Sequence, residues 1–172
     1  MLPEEVTKLI GQAGSVKVLE VEKGAIKKFA DAIDDPNPLY WDEEYARNSR
    51  YGSIIAPPGF FGWPTKPVEK SSMYLSWPTK LERESPTSSE GREELREPLT
   101  KAGYTRVLDV GMEYDFFTPV RVGDTLVASS RIKNITERTG KTGKMIFIIT
   151  ETTYIYQNGD LVAKARGIGV RH

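Results

Sequence analysis

The spacing of apolar residues changes character along the chain, and each change predicts an element. In "PEEVTKLIGQAG" (3–14), Val6, Leu9 and Ile10 recur at helical spacing behind Pro3, Glu4 and Glu5, and Gly11 or Gly14 ends the run, so a short entry helix is predicted. "SVKVLEVEKG" (15–24) is β-branched and closes on a glycine, which reads as a strand. "GAIKKFADAI" (24–33) sets Ile26, Phe29, Ala30 and Ile33 on one helical face and turns Lys27, Lys28 and Asp31 away from it. Asp34-Asp35-Pro36-Asn37-Pro38 must end that helix, because each proline removes a backbone donor and restrains the residue before it. Asp42 then caps a further short helix with Glu43 and Glu44 in its first turn, and an apolar "IIAPPGFFGW" (54–63) follows.

Residues 64–106 are rich in proline, serine and charge and hold no sustained period, so they read as a long insertion within one domain. Its first half carries Met73, Tyr74 and Trp77, apolar enough to cover a pocket mouth or an interface. Its second half, "ERESPTSSEGREE" (82–94), reads as a solvated charged tip. Beyond it, four stretches rich in β-branched and aromatic residues (106–120, 124–140, 144–159 and 160–170) are separated by "RVGD", "GKTG" and "QNGD", which predicts a meander of antiparallel strands. In "MIFIITETTYIY" both alternating faces are apolar: Met145, Phe147, Ile149 and Ile155 on one, Ile146, Ile148, Tyr154 and Tyr156 on the other. Such a strand calls for a helix on one side and a further layer, such as a second subunit, on the other.

Composition removes several classes of function. The 172 residues fit a single domain, and 24 basic against 24 acidic side chains leave no net charge to attract nucleic acid or an anionic membrane. Without cysteine there is no thiol catalysis, disulfide or thiolate metal site. The amino-terminal segment lacks the basic and apolar regions of a secretory signal and nothing later is long enough to span a bilayer, so a cytoplasmic protein is expected. No phosphate loop, nucleophile elbow or histidine-rich metal spacing occurs, and the only histidine is His172.

The ordered motif over residues 24–60 carries more. Asp35-x-Asn37-Pro38-Leu39, then Tyr40, x-Asp42, a short helix with Ala46, and Ile54-Ile55 leading to Gly59 resembles the MaoC-like dehydratases and (R)-specific enoyl-CoA hydratases of the hot-dog fold. "FFTPVRVGDTL" (116–126) resembles the same family's strand-turn-strand element. The resemblance implies an α+β hot-dog domain over 1–172, a curved antiparallel sheet wrapped around a central helix with the 64–106 insertion after it, and pairing of two such folds. It also implies addition of water to a trans-2-enoyl thioester, or the reverse, without metal or cofactor.

Carried onto this chain, the water-activating aspartate is Asp35, and the donor to the thioester carbonyl is the N–H of Gly59, at the start of the central helix. Pro57 and Pro58 have no N–H to offer. Asn37 and Phe60 fall on the substrate side of the same motif. The family's histidine position is Tyr40. A phenol ionises near pH 10, so acting as a base at neutrality requires a downward shift of about 3 units, or roughly 4 kcal/mol. Local roles compete with these assignments: Asp35 and Asn37 suit Asx turns, and Tyr40, Trp41 and Phe60 suit a core. The resemblance is closest to the non-catalytic, amino-terminal type of repeat. Three functions follow as expectations: a subunit that binds an acyl-CoA or acyl-carrier thioester and supports a catalytic partner; a self-sufficient hydratase using Asp35 and Tyr40; or a non-enzymatic acyl-CoA-binding protein, the chain pairing as a homodimer or as a heteromer with a catalytic hot-dog chain.

Overall fold

The computed structural model describes residues 2, 4–67, 90–140 and 143–172. Among the described residues, helices α1 (Glu4–Thr7), α2 (Lys23–Ala32), α3 (Pro38–Trp41), α4 (Glu43–Asn48) and α5 (Glu90–Lys101) accompany strands β1 (Ala13–Glu20), β2 (Trp63–Pro67), β3 (Val107–Phe116), β4 (Thr125–Gly140), β5 (Gly143–Tyr156) and β6 (Leu161–Arg171). The strands form one antiparallel sheet in the order β2-β1-β4-β5-β6-β3. The helix-then-strand reading of the first third and the four later strands are thus observed.

The expected meander holds only for β4, β5 and β6. β3 does not pair with β4, the strand that follows it. It crosses to the far edge and pairs with β6, Val107 opposite Arg171 and Phe116 opposite Ala163. The crossing segment explains why. Pro119 cannot donate to a ladder, Val120 accepts from Ala56 N–H at 2.8 Å, and Val122 donates to Ile54 at 3.0 Å. The linker is thereby tied to the segment after α4 rather than folded into a hairpin. Only then does the Arg121 N–H bond to Asp124 Oδ2 at 2.7 Å close the turn into β4.

The insertion also differs from its expected form. Residues 64–67 belong to β2, which pairs with β1, and 90–101 form α5, so "EGREE" at the end of the charged tip is helical. α5 delivers Leu99, with no exposed surface, into a small core with Val6, Leu9, Tyr104, Ile135 and Ile146. The Tyr104 hydroxyl donates to Glu137 Oε2 at 3.1 Å and ties the end of the insertion to β4. The readings of Met73, Tyr74 and Trp77, and of 82–89, lie outside the described residues.

α2 is the helix the sheet packs around. Ala25, Ile26 and Ala30 meet Leu19 of β1, Leu126 and Ala128 of β4, and Val162 and Ala163 of β6 in the main core. The two faces of β5 part as expected: Ile146 and Ile148 join the α5 core and Tyr154 and Tyr156 the α2 core, while Met145, Phe147 and Ile149 join neither and stay half-buried.

On that second face Glu151, almost fully buried, accepts from Arg131 Nη2 and Lys133 Nζ, each at 2.6 Å. These two bonds hold its carboxyl at about 2, below the ordinary 4.5. A carboxylate depressed on folding adds stability that is present above its unfolded value and lost as pH falls through the folded one. The urea midpoint of the wild type is therefore expected to fall between about pH 4.5 and 2 more steeply than that of Glu151→Gln, with the variant about 1–3 kcal/mol less stable at pH 7. Parallel pH profiles would show that the pair does not contribute.

Candidate functional site

The carboxyl end of α2 places Asp35. Ile33 N–H donates to Phe29 and Asp34 N–H to Asp31, each at 3.1 Å, and Asp35 N–H reaches back to Ala30 at 2.9 Å. This closure needs a left-handed residue after the helix, and Asp34 takes it with φ 53, a conformation that Asp tolerates better than most side chains. Asp35 Oδ1 then accepts from Asn37 N–H at 3.0 Å, and Asn37 Oδ1 from Leu39 N–H at 3.1 Å, capping α3 with Pro38 in its first turn. The Trp41 indole N–H donates to the Asp35 carbonyl at 2.9 Å. The Asx turns read from sequence are both present. Oδ2 of Asp35 has no hydrogen-bond partner among the described residues, so the turn uses one oxygen and leaves the other.

Tyr40 is 6% exposed and packs in the α2 core. Burial and then the Asp35 charge push its phenol above 10, while a contact with the Asn37 side chain pulls the other way. The direction is opposite to what a base at neutral pH requires.

The stretch after α4 brings the other two candidates. Pro57 is fully buried, Phe60 N–H turns back to the Pro57 carbonyl at 3.0 Å, and Gly59 has φ 91. Among the described residues no group accepts from the Gly59 N–H, so the turn exposes one donor where the motif places it. The donor does not start a helix, contrary to expectation: the segment runs into β2, because Gly59 and Gly62 (φ 94) both leave helical angles and Pro64 and Pro67 follow. Phe60 packs on Phe29 of α2 with ring centroids 5.3 Å apart. Asp35, Asn37 and Tyr40 therefore form one turn-and-helix unit, and Phe60 of the Gly59 turn joins it through the core, packed on Phe29 of α2. A notch of about 310 Å³ outside the Asp35 turn is lined by Ala30, Asp31, Asp34, Asp35, Pro36 and Trp41, excludes Gly59, and is too acidic for an acyl chain. Among the described residues no cluster of three or more His, Cys, Asp or Glu side chains is placed to hold a metal ion.

Sequence reading missed the β3 side of the aromatic wall around Phe61. Phe61 stacks on Tyr154 of β5 at 4.1 Å and meets Tyr114 and Phe116 of β3 at 5.9 and 6.2 Å. Tyr114 and Phe116 stack on each other at 5.4 Å. Their i, i+2 spacing in "EYDFF" was the available signal, since alternate residues of a strand share a face. Burial and then Tyr114 push the Tyr154 phenol up to about 12, so it stays a neutral wall.

Known proteins resemble this chain along most of its length. The family model described as "FAS1-like, dehydratase domain region" matches residues 8–165. A probable enoyl-CoA hydratase alpha subunit of Thermomonospora curvata is 30% identical over 146 residues, 82% of this chain and 41% of that protein. A UPF0336 protein of Streptomyces avermitilis is 29% identical over 121 residues, 70% of this chain and 66% of that one. The chain thus spans less than half of the first relative. Among solved structures, the ChsH1-ChsH2 complex of Mycobacterium tuberculosis matches with a TM-score of 0.73 at 18% identity, over 98% of this chain and 94% of that one. The HadBC (3R-hydroxyacyl-ACP dehydratase) complex of the same organism matches at 0.61 and 18%, over 94% and 96%. A MaoC-like dehydratase from Rhodospirillum rubrum matches at 0.55 and 20%, over 94% and 91%.

The environment of Tyr40 is open to titration. The tyrosinate absorbance missing from Tyr40→Phe is expected to belong to a group ionising above pH 10, and Asp35→Asn to lower that midpoint by removing the neighbouring negative charge. An ionisation below pH 10 would contradict the described surroundings.

Proposed function

Because the chain belongs to the MaoC-like hot-dog dehydratase family through its FAS1-like dehydratase region, we propose that it is the subunit of an (R)-specific enoyl-thioester hydratase or dehydratase that binds the acyl thioester and supports a catalytic hot-dog partner. The observation that carries this reading is Tyr40: the position that needs a proton acceptor holds a buried phenol whose ionisation is pushed up, not down. Asp35 keeps a carboxylate oxygen for a water molecule and Gly59 keeps a donor for a carbonyl, so substrate-holding parts persist where the proton-transfer partner is gone. In this reading Asn37 shapes the turn that presents Asp35, and Phe60 closes the apolar side.

The surface supports a partner chain. β3 is exposed along its whole length, and Leu108, Val110, Met112, Tyr114 and Phe116 all show large apolar side chains there. An open, apolar edge strand is a template for pairing unless something covers it. The half-buried Met145, Phe147 and Ile149 add apolar surface on the face of β5 turned away from the helices. Two of the solved relatives, ChsH1-ChsH2 and HadBC, are complexes of unlike chains by their names.

The chain alone is expected to hydrate crotonyl-CoA weakly. Tyr40→His should raise the rate by a sizeable part of the roughly 10²–10⁴-fold that a positioned general base contributes, and should do so only while Asp35 is intact. Robust wild-type turnover that collapses in Tyr40→Phe would overturn the subunit reading in favour of a self-sufficient hydratase. Light scattering is expected to show a pair of hot-dog chains, alike or unlike. A stable monomer at micromolar concentration, with no co-purifying partner, would count against the pairing.

A further inference from the structure

Two donors that have no acceptor among the described residues come close together at the aromatic wall. Gly59 has no side chain, and the position a Cβ would occupy lies 3.9 Å from the Tyr114 hydroxyl and 4.0 Å from its Cζ. The Tyr114 hydroxyl, like the Gly59 N–H, has no hydrogen-bond partner among the described residues. Tyr114 is not floating: its ring is held between Phe116 and Phe61, and Phe61 is itself stacked on Tyr154. At 37% exposure it is accessible, and its ring belongs to an apolar wall in which the hydroxyl is the polar point nearest Gly59.

An oxygen that accepts at about 2.9 Å from each of two donors holds them within about 6 Å of one another. The Tyr114 hydroxyl lies 3.9 Å from the Cβ position of Gly59, a position about 2.5 Å from the amide nitrogen by covalent geometry, so the two donors are no more than about 6.4 Å apart, near that limit, and the absent methyl leaves the gap free. The positive φ of Gly59 makes the vacancy dependable, since any other residue at φ 91 is strained. A carbonyl oxygen carries two lone pairs and is the group such a pair of donors fits.

We infer that the Tyr114 hydroxyl is a second hydrogen-bond donor to the substrate's thioester carbonyl, set beside the Gly59 N–H, and that it orients the acyl group against the Phe61–Tyr154 wall. The inference rests on the reading of the chain as an acyl-thioester binder. It adds to the motif a residue more than fifty positions further along, on the edge strand, so that the carbonyl is held between the "APPGF" turn and β3 rather than by the turn alone.

The test compares two ligands of equal length on the full chain by calorimetry: butanoyl-CoA, which has the carbonyl, and S-butyl-CoA, the thioether without it. Tyr114→Phe keeps the ring and removes only the hydroxyl. It is expected to weaken butanoyl-CoA about five- to tenfold and leave S-butyl-CoA unchanged, the unchanged thioether serving as proof that the variant is folded. In difference infrared spectra, the carbonyl stretch of bound crotonyl-CoA labelled with ¹³C at C1 should lie higher in Tyr114→Phe than in the wild type, because one polarising donor is gone. Equal losses for both ligands, or none for butanoyl-CoA, would overturn the inference and leave the acyl-binding reading standing. Failure of the wild-type chain to bind either ligand would instead overturn the acyl-binding reading and the inference with it.

Discussion

Ile26 sits on α2 with no exposed surface, against strands β1, β4 and β6, and the candidate site depends on that contact. Burying one such side chain is worth about 1.5–3 kcal/mol, and Ala25 and Ala30 beside it are small enough to let helix and sheet approach closely. Because α2 is fixed along this face, its carboxyl end is fixed, and the left-handed turn at Asp34 has only one place to deliver Asp35. The Lys23–Glu43 bond at 2.8 Å joins the start of α2 to α4, but both groups are half exposed and contribute little beside the apolar contact.

Local chemistry made much of this readable in the sequence. Ile26, Phe29 and Ala30 repeat at helical spacing, prolines at 36 and 38 stop the helix, and Asp42 caps α4 through Glu44 and Tyr45 N–H at 2.9 and 3.0 Å. The turn at Asp35 and Asn37 is written in residue types that bond their own backbone, so it needs no tertiary contact to be anticipated. β3 shows where such reading stops. Its residues say strand, but its partner is set by the tie between Ala56 and Val120, two stretches far apart in sequence. α5 was hidden for a related reason. It presents the fully buried Leu99 among many charges, and its amphipathic character emerges only once α1 and β4 are present to receive Leu99.

The site repeats the contrast. Asp35, Asn37, Tyr40, Gly59 and Phe60 were all read from one motif, because a turn and a glycine donor are local devices. Tyr114 belongs to no motif: strand alternation puts it on the face with Phe116, but only the sheet order sets that face beside Phe61. Tyr40 lies between these cases. Its identity in the sequence already questioned base catalysis, and its burial beside the Asp35 charge supplies the physical reason.

The placement of β3 has a consequence for how the chain is made. This strand leaves the ribosome before β4, β5 and β6, yet among the described residues its partner within the sheet is β6: Phe116 waits for Ala163 and Val107 for Arg171. Throughout the synthesis of the intervening hairpin, a strand carrying Leu108, Val110, Met112, Tyr114 and Phe116 waits for β6, the neighbour it has among the described strands. Pairing across such a separation forms late and leaves apolar strand surface unprotected meanwhile. The apolar surface that stays open on β3 in the finished fold is thus also the segment a nascent chain must keep from the wrong company.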